Sequence, residues 1–301
     1  MFLCSMKTIA DALLIFDDSL KVIYPADEIS SIKYLVLSDI TGLSKAQLRA
    51  FTDSELTNDQ SQKLTQIIAE LQTGKPVQYI LGHTEFYGLT FKVNSSVLIP
   101  RPETEELVEW ILEESQKSKF KSQKPFKILD IGTGSGCIPI TLKKHLPVAD
   151  VSGLDISVEA LKTAQQNAEL NNVDVKFIEG DILNPNTAIL DGTKSGRLEQ
   201  YSIIVSNPPY VTEQEKSEMH NNVLGFEPHL ALFVEDNDPL VFYNAIADFA
   251  LRQLTKGGFL FFEINENLGQ QTVELLAVKS FKNIELKRDI RGKDRMIKAE
   301  L

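Results

Sequence analysis

The sequence predicts an α/β fold, a mostly parallel sheet covered on both faces and preceded by a small all-helical module. Three observations carry that reading. From residue 126 onward, apolar runs at 126–131, 150–155, 174–179, 201–206 and 258–264 alternate with helical stretches, the pattern of parallel strands joined by covering helices. Two further runs, 282–288 and 295–300, are separated by only a short turn-like segment, which permits an antiparallel hairpin at the sheet edge. From residue 7 to about 74 the periodicity is helical instead.

The N-terminal helices come first. Leu64, Ile67, Ile68 and Leu71 repeat at i, i+3, i+4 and i+7 after the polar start Asn58-Asp59-Gln60, and Gly74 followed by Pro76 ends that helix. Residues 30–40 and 44–51 read as shorter helices, too small to be stable alone, so the region forms a compact bundle. Across residues 1–82, 7 Lys or Arg stand against 10 Asp or Glu, which excludes a basic clamp and favours a protein-docking module. Residues 84–94 are aromatic and β-branched around Gly88 and read as a hairpin, placing a β-hairpin linker at 83–97 between domains 1–82 and 98–301. In the next helix acidic residues crowd the first turn, and Leu107, Val108, Trp110 and Ile111 supply its apolar face. Segment 113–125, rich in Lys, Ser and Gln, reads as a surface connection.

Composition narrows the function classes. The 301 residues suffice for two domains, with 24% charged and 43% hydrophobic residues, as in an ordinary globular protein. No apolar run approaches the roughly 18 residues of a membrane span, and the start Met-Phe-Leu-Cys-Ser-Met-Lys lacks a signal-peptide pattern, so a cytoplasmic location without membrane contact is expected. Cys4 and Cys137 are too few for a disulfide framework and lack metal-ligand spacing; no metal is expected. A net charge of −11 weighs against nucleic-acid binding. Lys282, Lys287, Arg288, Arg291, Lys293, Arg295 and Lys298 cluster near the C-terminus and read as a solvated edge.

Four strand ends carry the chemistry. The first strand leads into Gly132-Thr133-Gly134-Ser135-Gly136 before a helix starting near Cys137, so backbone can approach a ligand closely and the helix start offers free amides. Cys137 stands where the usual dinucleotide fingerprint has its third glycine, which weakens a nicotinamide reading. Asp155 ends the second strand, one βαβ step on, where a carboxylate accepts two ribose hydroxyls or else caps the helix at Ser157. Gly180-Asp181-Ile182 follows the third strand, with Ile182 placed to lie against a base beside the polar Asp181. The fourth strand, Ile203-Ile-Val-Ser206, runs into Asn207-Pro208-Pro209-Tyr210. Neither proline donates a backbone hydrogen, so the Asn207 side-chain oxygen and the Pro208 carbonyl can both face a ligand as acceptors, a pairing suited to a planar NH2 group.

These residues resemble the class I methyltransferases that use S-adenosylmethionine, and specifically the glutamine methyltransferases of peptide chain release factors. The resemblance covers nearly the whole chain, through the helical module, Leu98-Ile-Pro-Arg-Pro-Glu-Thr-Glu, Asp130-Ile-Gly-Thr-Gly-Ser-Gly, Asn207-Pro-Pro-Tyr, Phe226-Glu-Pro and the final Arg-Gly-Lys-Asp-Arg. It implies a Rossmann-like, seven-stranded mixed sheet with its last strand antiparallel. It also implies S-adenosylmethionine held by Gly132 to Gly136, Asp155 and Ile182 and contacted by Asn207, and the strand-tip reading adds Asp181 to that cofactor site. Asn207 to Tyr210 would then hold the target, the glutamine of a Gly-Gly-Gln motif, methylated on its side-chain nitrogen, with release factors as protein partners and no direct nucleic-acid contact. Two other readings remain at this stage. An adenine amino methyltransferase would face the same NH2 geometry but would have to extract its base from a stack, without a large target-recognition region. A non-catalytic cofactor-binding adaptor would keep the glycine loop and show no turnover.

Overall fold

The computed structural model describes residues 6–117, 126–184, 200–218 and 221–301, so Cys4 and residues 118–125 of the expected surface connection lie outside the described residues. The chain divides into two compact units: the residues up to Gly82 together with a short helix, Asn221–Phe226, and the rest of the chain from His83 on.

In the first unit, α1 (Ile9–Leu20), α2 (Ala26–Thr41), α3 (Lys45–Ala50), α4 (Asn58–Leu71) and α5 (Val77–Leu81) follow one another with short connections. Thr8, Ser44 and Thr57 each close a capping box with the residue three positions on, satisfying amide groups that the helix itself leaves unpaired. Such a cap is worth about 1 kcal/mol. Gly42 ends α2 in the left-handed region, with φ 71°. Leu64, Ile67, Ile68 and Leu71 all point into one core with Phe16, Leu20, Val36, Leu37 and Leu48. Burial of these faces stabilises helices too short to persist alone.

The second unit opens with β1 (His83–Phe86) and β2 (Leu89–Lys92), joined through Tyr87 and Gly88, which have φ of 52° and 71°, the twist a two-residue hairpin turn requires. Two asparagines of the later helix Val158–Leu170 and its C-cap clasp this hairpin. The Lys92 amide donates to Asn167 Oδ1 at 2.7 Å, and Asn171 Nδ2 donates to the Thr90 carbonyl at 2.9 Å. Helix α6 (Pro102–Ser115) follows with proline at its start.

The main sheet contains β3 (Lys127–Ile131), β4 (Asp150–Asp155), β5 (Lys176–Glu179), β6 (Tyr201–Ser206), β9 (Leu254–Glu263), β10 (Lys282–Arg288) and β11 (Asp294–Glu300) in the order β10-β11-β9-β6-β3-β4-β5. A small parallel ribbon, β7 (Val211–Thr212) with β8 (Phe233–Val234), lies outside it. All neighbours from β9 to β5 are parallel, whereas β11 inserts antiparallel between β9 and β10. This is the seven-stranded mixed sheet with an antiparallel last strand that the resemblance implies. Alternate residues face opposite cores: Ile128, Ile203, Val205 and Phe261 on one side, Leu129, Ile131, Ile204 and Phe262 on the other. Burial on both faces is why these strands read as continuous apolar runs.

Three expectations change. The segment read as a surface connection from 113 begins inside α6, where Glu114 and Ser115 are buried because Glu114 pairs with Lys298. Strand β9 starts at Leu254 rather than 258, running through Gly257-Gly258. A Cβ on Gly258 would lie 2.9 Å from the Thr255 carbonyl and 3.0 Å from that of Ser202, so glycine here lets the strand continue through an irregular register beside β6. The C-terminal cations are not simply a solvated edge. Lys298 is 4% exposed, bonded to Glu114 and Glu285 and lying over the Trp110 ring, and Arg295 pairs with Asp289 and Glu266. Arg288, Arg291 and Lys293 each pair with an acid as well.

Candidate active site

Strand order decides where the site lies. The chain moves outward from β3 through β4 to β5, then returns to β6 on the other side of β3, so the loops leaving β3 and β6 diverge and open a crevice at their carboxyl ends. A cavity of about 560 Å³ occupies it, lined by Gly132 to Ser135, Asp155, Asp181, Ile182 and Asn207 to Pro209. Two predicted site residues stand outside that lining. Gly136 is the N-cap of the helix Cys137–His145, and the Tyr210 hydroxyl is turned to Glu263.

The glycine loop is shaped by backbone conformation. Gly132, Gly134 and Gly136 have φ of 75°, 54° and 79°, a region costly for residues with a Cβ. At Gly136 an added Cβ would also come within 2.9 Å of Ile140 and 3.1 Å of Ala164. At Gly132 it would lie 4.0 Å from the Asn207 carbonyl, so the glycine loop and the Asn-Pro-Pro-Tyr turn are in van der Waals reach although 75 residues separate them. Ser206 Oγ reinforces this junction by donating to the Ile131 carbonyl at 2.6 Å.

The Asp155 carboxylate ties the glycine loop to the next helix without being that helix's cap. Its Oδ2 accepts the Gly134 amide at 2.8 Å and its Oδ1 the Ser157 amide at 2.9 Å, while Ser157 caps the following helix. Each oxygen retains a second acceptor position for a ligand hydroxyl. Burial raises the Asp155 pKa against the pull of these amides. Asp130, fully buried, accepts from Thr133 Oγ1 at 2.6 Å while its Oδ1 has no hydrogen-bond partner among the described residues; burial pushes its carboxyl up to about 7, with Asp155 adding to the shift. Burial likewise pushes the Cys137 thiol up to about 12. Ile182 is buried at the far wall, near Phe242 and Ile246, and the Asp181 carboxylate accepts the Leu183 amide at 2.9 Å, a local turn contact.

Around Asn207 the contacts are between side chains. Asn207 Nδ2 donates to Thr104 Oγ1 at 3.3 Å, and Thr104 Oγ1 donates in turn to Glu263 Oε2 at 2.7 Å. Tyr210 donates its hydroxyl to the other oxygen, Glu263 Oε1, at 3.2 Å. Burial raises the pKa of Glu263 and of the Tyr210 phenol. Arg101 closes the rim, its Nη2 donating at 2.7 and 2.8 Å to the two oxygens of the buried Glu227. That ion pair joins the Leu98-to-Glu105 segment to the Phe226-Glu-Pro segment, and Pro100, Arg101, Pro228 and Leu230 all line the cavity. His229 is in a single-turn helix with its ring edge-on to Phe233, as a loop residue.

Thr104, Glu227, Phe242 and Glu263 were missed as site residues by the sequence reading. Thr104 and Glu227 appeared only inside the family-like segments Leu98 to Glu105 and Phe226-Glu-Pro, and Glu263 left a signal of position. Like Asp130 and Asp155, it is an acid at the end of an apolar strand, in Phe259-Leu-Phe-Phe-Glu263.

Comparison with known proteins bears on the same regions. Residues 17–82 match the family model described as PrmC N-terminal domain, and residues 116–225 match Methyltransferase small domain. A release factor glutamine methyltransferase of Flavobacterium psychrophilum is 52% identical over 94% of this chain and 96% of its own. Proteins of the same name from Bacteroides thetaiotaomicron and Bacillus subtilis are 43% and 38% identical, covering 93% and 98% of this chain and 96% and 98% of theirs. In fold, the chain resembles the solved METTL16 methyltransferase domain with a TM-score of 0.52 at 18% identity, over 71% of this chain and 88% of that one.

Proposed function

Because the chain belongs to the family of release factor glutamine methyltransferases, we propose that it methylates the side-chain amide nitrogen of the glutamine in a Gly-Gly-Gln segment of a release factor. It is an S-adenosylmethionine-dependent methyltransferase. The residues present suit that cofactor. The cavity falls within the roughly 300–1,000 Å³ typical of small-molecule sites, an acid at the second strand tip has acceptor positions to spare, and the glycine loop has no side chain that would block close approach. Gly132 to Ser135, Asp155, Asp181 and Ile182 would hold it, with Asn207 between it and the substrate. When bound, it supplies a methyl group made electrophilic by a sulfonium sulfur.

One observation carries the substrate reading. Asn207 spends its NH2 group on Thr104, so its Oδ1 is the atom left for the cavity. An oxygen acceptor there, together with the Pro208 carbonyl, matches the two hydrogens of a carboxamide NH2. That nitrogen is a poor nucleophile because its lone pair is delocalised into the carbonyl. Two hydrogen bonds fix its direction and draw electron density onto it. Orientation of this kind supplies up to roughly 7–11 kcal/mol, more than the about 10²–10⁴-fold of a general base, and no base is assigned.

The helical module, residues 1–82, would dock the protein substrate. It is acidic, and Leu14, Val22 and Phe51 expose 66%, 90% and 55% of their surface. The reaction would take place in the cytoplasm, without direct nucleic-acid contact or a membrane. Incubation with S-adenosylmethionine and an unmodified release factor, followed by mass-spectrometric mapping, should place one methyl on the glutamine; label on DNA or RNA instead would sink the assignment.

A further inference from the structure

We infer that Glu263, acting through Thr104, is the positioning residue that fixes which end of the Asn207 amide faces the substrate. The inference rests on the reading above that Asn207 holds the target amide.

A threonine hydroxyl has one hydrogen. Since Thr104 gives it to Glu263 Oε2 at 2.7 Å, the same oxygen can only accept from Asn207, and the atom 3.3 Å away must be the NH2 end. The carboxylate thus sets the polarity of the chain Asn207 to Thr104 to Glu263. If Glu263 were protonated it could donate to Thr104, whose hydrogen would then point at Asn207 and favour the flipped amide. An NH2 group would then face the NH2 of the substrate, which is repulsive. The register of the sheet builds this arrangement: Ser206 of β6 lies opposite Phe262 of β9, so Asn207 and Glu263 stand at adjacent strand tips, and α6 delivers Thr104 from the side. Asn207 is half-buried at the cavity wall, but the two groups behind it are secluded, Thr104 being 2% and Glu263 1% exposed, so water cannot readily substitute for the Thr104–Glu263 link. One carboxylate also holds the Tyr210 hydroxyl, tying both polar ends of the Asn-Pro-Pro-Tyr turn to one group.

The groups that face Glu263 set when it is charged. Arg295 from β11 and the hydroxyls of Thr104 and Tyr210 favour the carboxylate, whereas burial and Glu103 of α6 oppose it. Cys137 and Tyr243 stay protonated beside it, and the Tyr243 hydroxyl donates to the Glu263 carbonyl at 3.5 Å. Burial is the largest influence and raises the carboxyl above its usual range. The relay should therefore fail as pH falls through this raised pKa, at a higher pH than an ordinary carboxylate would require.

The test compares Thr104→Val, Thr104→Ser and Glu263→Gln with the wild type, using a release factor as substrate. Thr104→Val should lower kcat on the order of 10–100-fold, as for the loss of a hydrogen bond worth about 1.5–3 kcal/mol, while cofactor affinity by calorimetry stays within about twofold. Thr104→Ser, which keeps the hydroxyl, should recover most of the loss. Wild-type kcat should fall on an acid limb that is missing from Glu263→Gln, because glutamine cannot titrate, and from Thr104→Val, which has no relay; the second variant decides the point if the first does not fold. Full activity in Thr104→Val, no rescue by serine, or an acid limb that persists in both variants would overturn the inference. An inactive Asn207→Ala beside a fully active Thr104→Val would refute the relay alone. An active Asn207→Ala would refute the substrate reading and the relay with it.

Discussion

The two halves of the proposed active site, one for the cofactor and one for the substrate, are built by different means. On the cofactor side, the glycine loop and Asp155 are held by backbone: three glycines with positive φ, two amides donated to one carboxylate, and a helix start immediately behind. On the substrate side, Asn207 is held by side chains from remote segments, Thr104 from α6 and Glu263 from β9. Backbone scaffolding tolerates side-chain changes around it but not an added Cβ. Side-chain scaffolding fails when any one partner is altered, because each hydrogen bond defines the direction of the next.

The first way to break the comparison is to remove one residue from each half. Asn207→Ala should reduce kcat by about 10³-fold or more through lost orientation, with cofactor affinity nearly unchanged by calorimetry; comparable turnover would mean the substrate half is misassigned. Asp155→Ala should do the reverse, weakening cofactor binding on the order of 10²-fold, the scale of a lost charged hydrogen-bond acceptor at roughly 1.5–3 kcal/mol. If Asp155→Ala binds cofactor normally, that carboxylate serves the loop alone.

Smaller effects sharpen the contrast. Gly136→Ala combines positive φ with a 2.9 Å approach to Ile140, and should destabilise the protein by about 1–3 kcal/mol in a denaturant titration. A loss under about 0.5 kcal/mol, the usual scale for a harmless substitution, would show that the loop does not depend on glycine there. Asp130 gives the smallest and most specific signal. Its folded pKa, about 7, lies above the unfolded value of 3.8, so its contribution to stability is full below about pH 4 and is lost as pH rises through 7. Asp130→Asn should therefore gain melting temperature relative to wild type between pH 5 and pH 8. No change in that difference would place the ionisation elsewhere.

Much of this was readable in the chain, and the unread part has a common cause. All seven main-sheet strands were read from the sequence: the central ones, such as β3 and β6, as apolar runs because burial on both faces demands hydrophobicity, and the edge strand β10, Lys282-Asn-Ile-Glu-Leu-Lys-Arg288, as a strand with only Ile284 and Leu286 apolar. The glycine loop, Asp155 and Asn207 were visible because each follows directly from a strand end. Thr104 was noticed only as part of a family-like segment, and Glu263 was hidden at the end of an apolar run assigned to the core. Arg295 and Lys298 looked like surface charge because sequence does not show that Asp289, Glu114 and Glu285 come to meet them.

By itself, the sequence determined the elements, the turns that need glycine and the residues at each strand tip, because these depend on neighbours a few positions apart. Only the tertiary structure decided that Thr104, Asn207 and Glu263 form one chain of hydrogen bonds. Those residues lie 103 and 159 positions apart where they bond. A hydrogen bond reaches about 3 Å, and no local pattern carries that distance until strand order and register have brought the tips together.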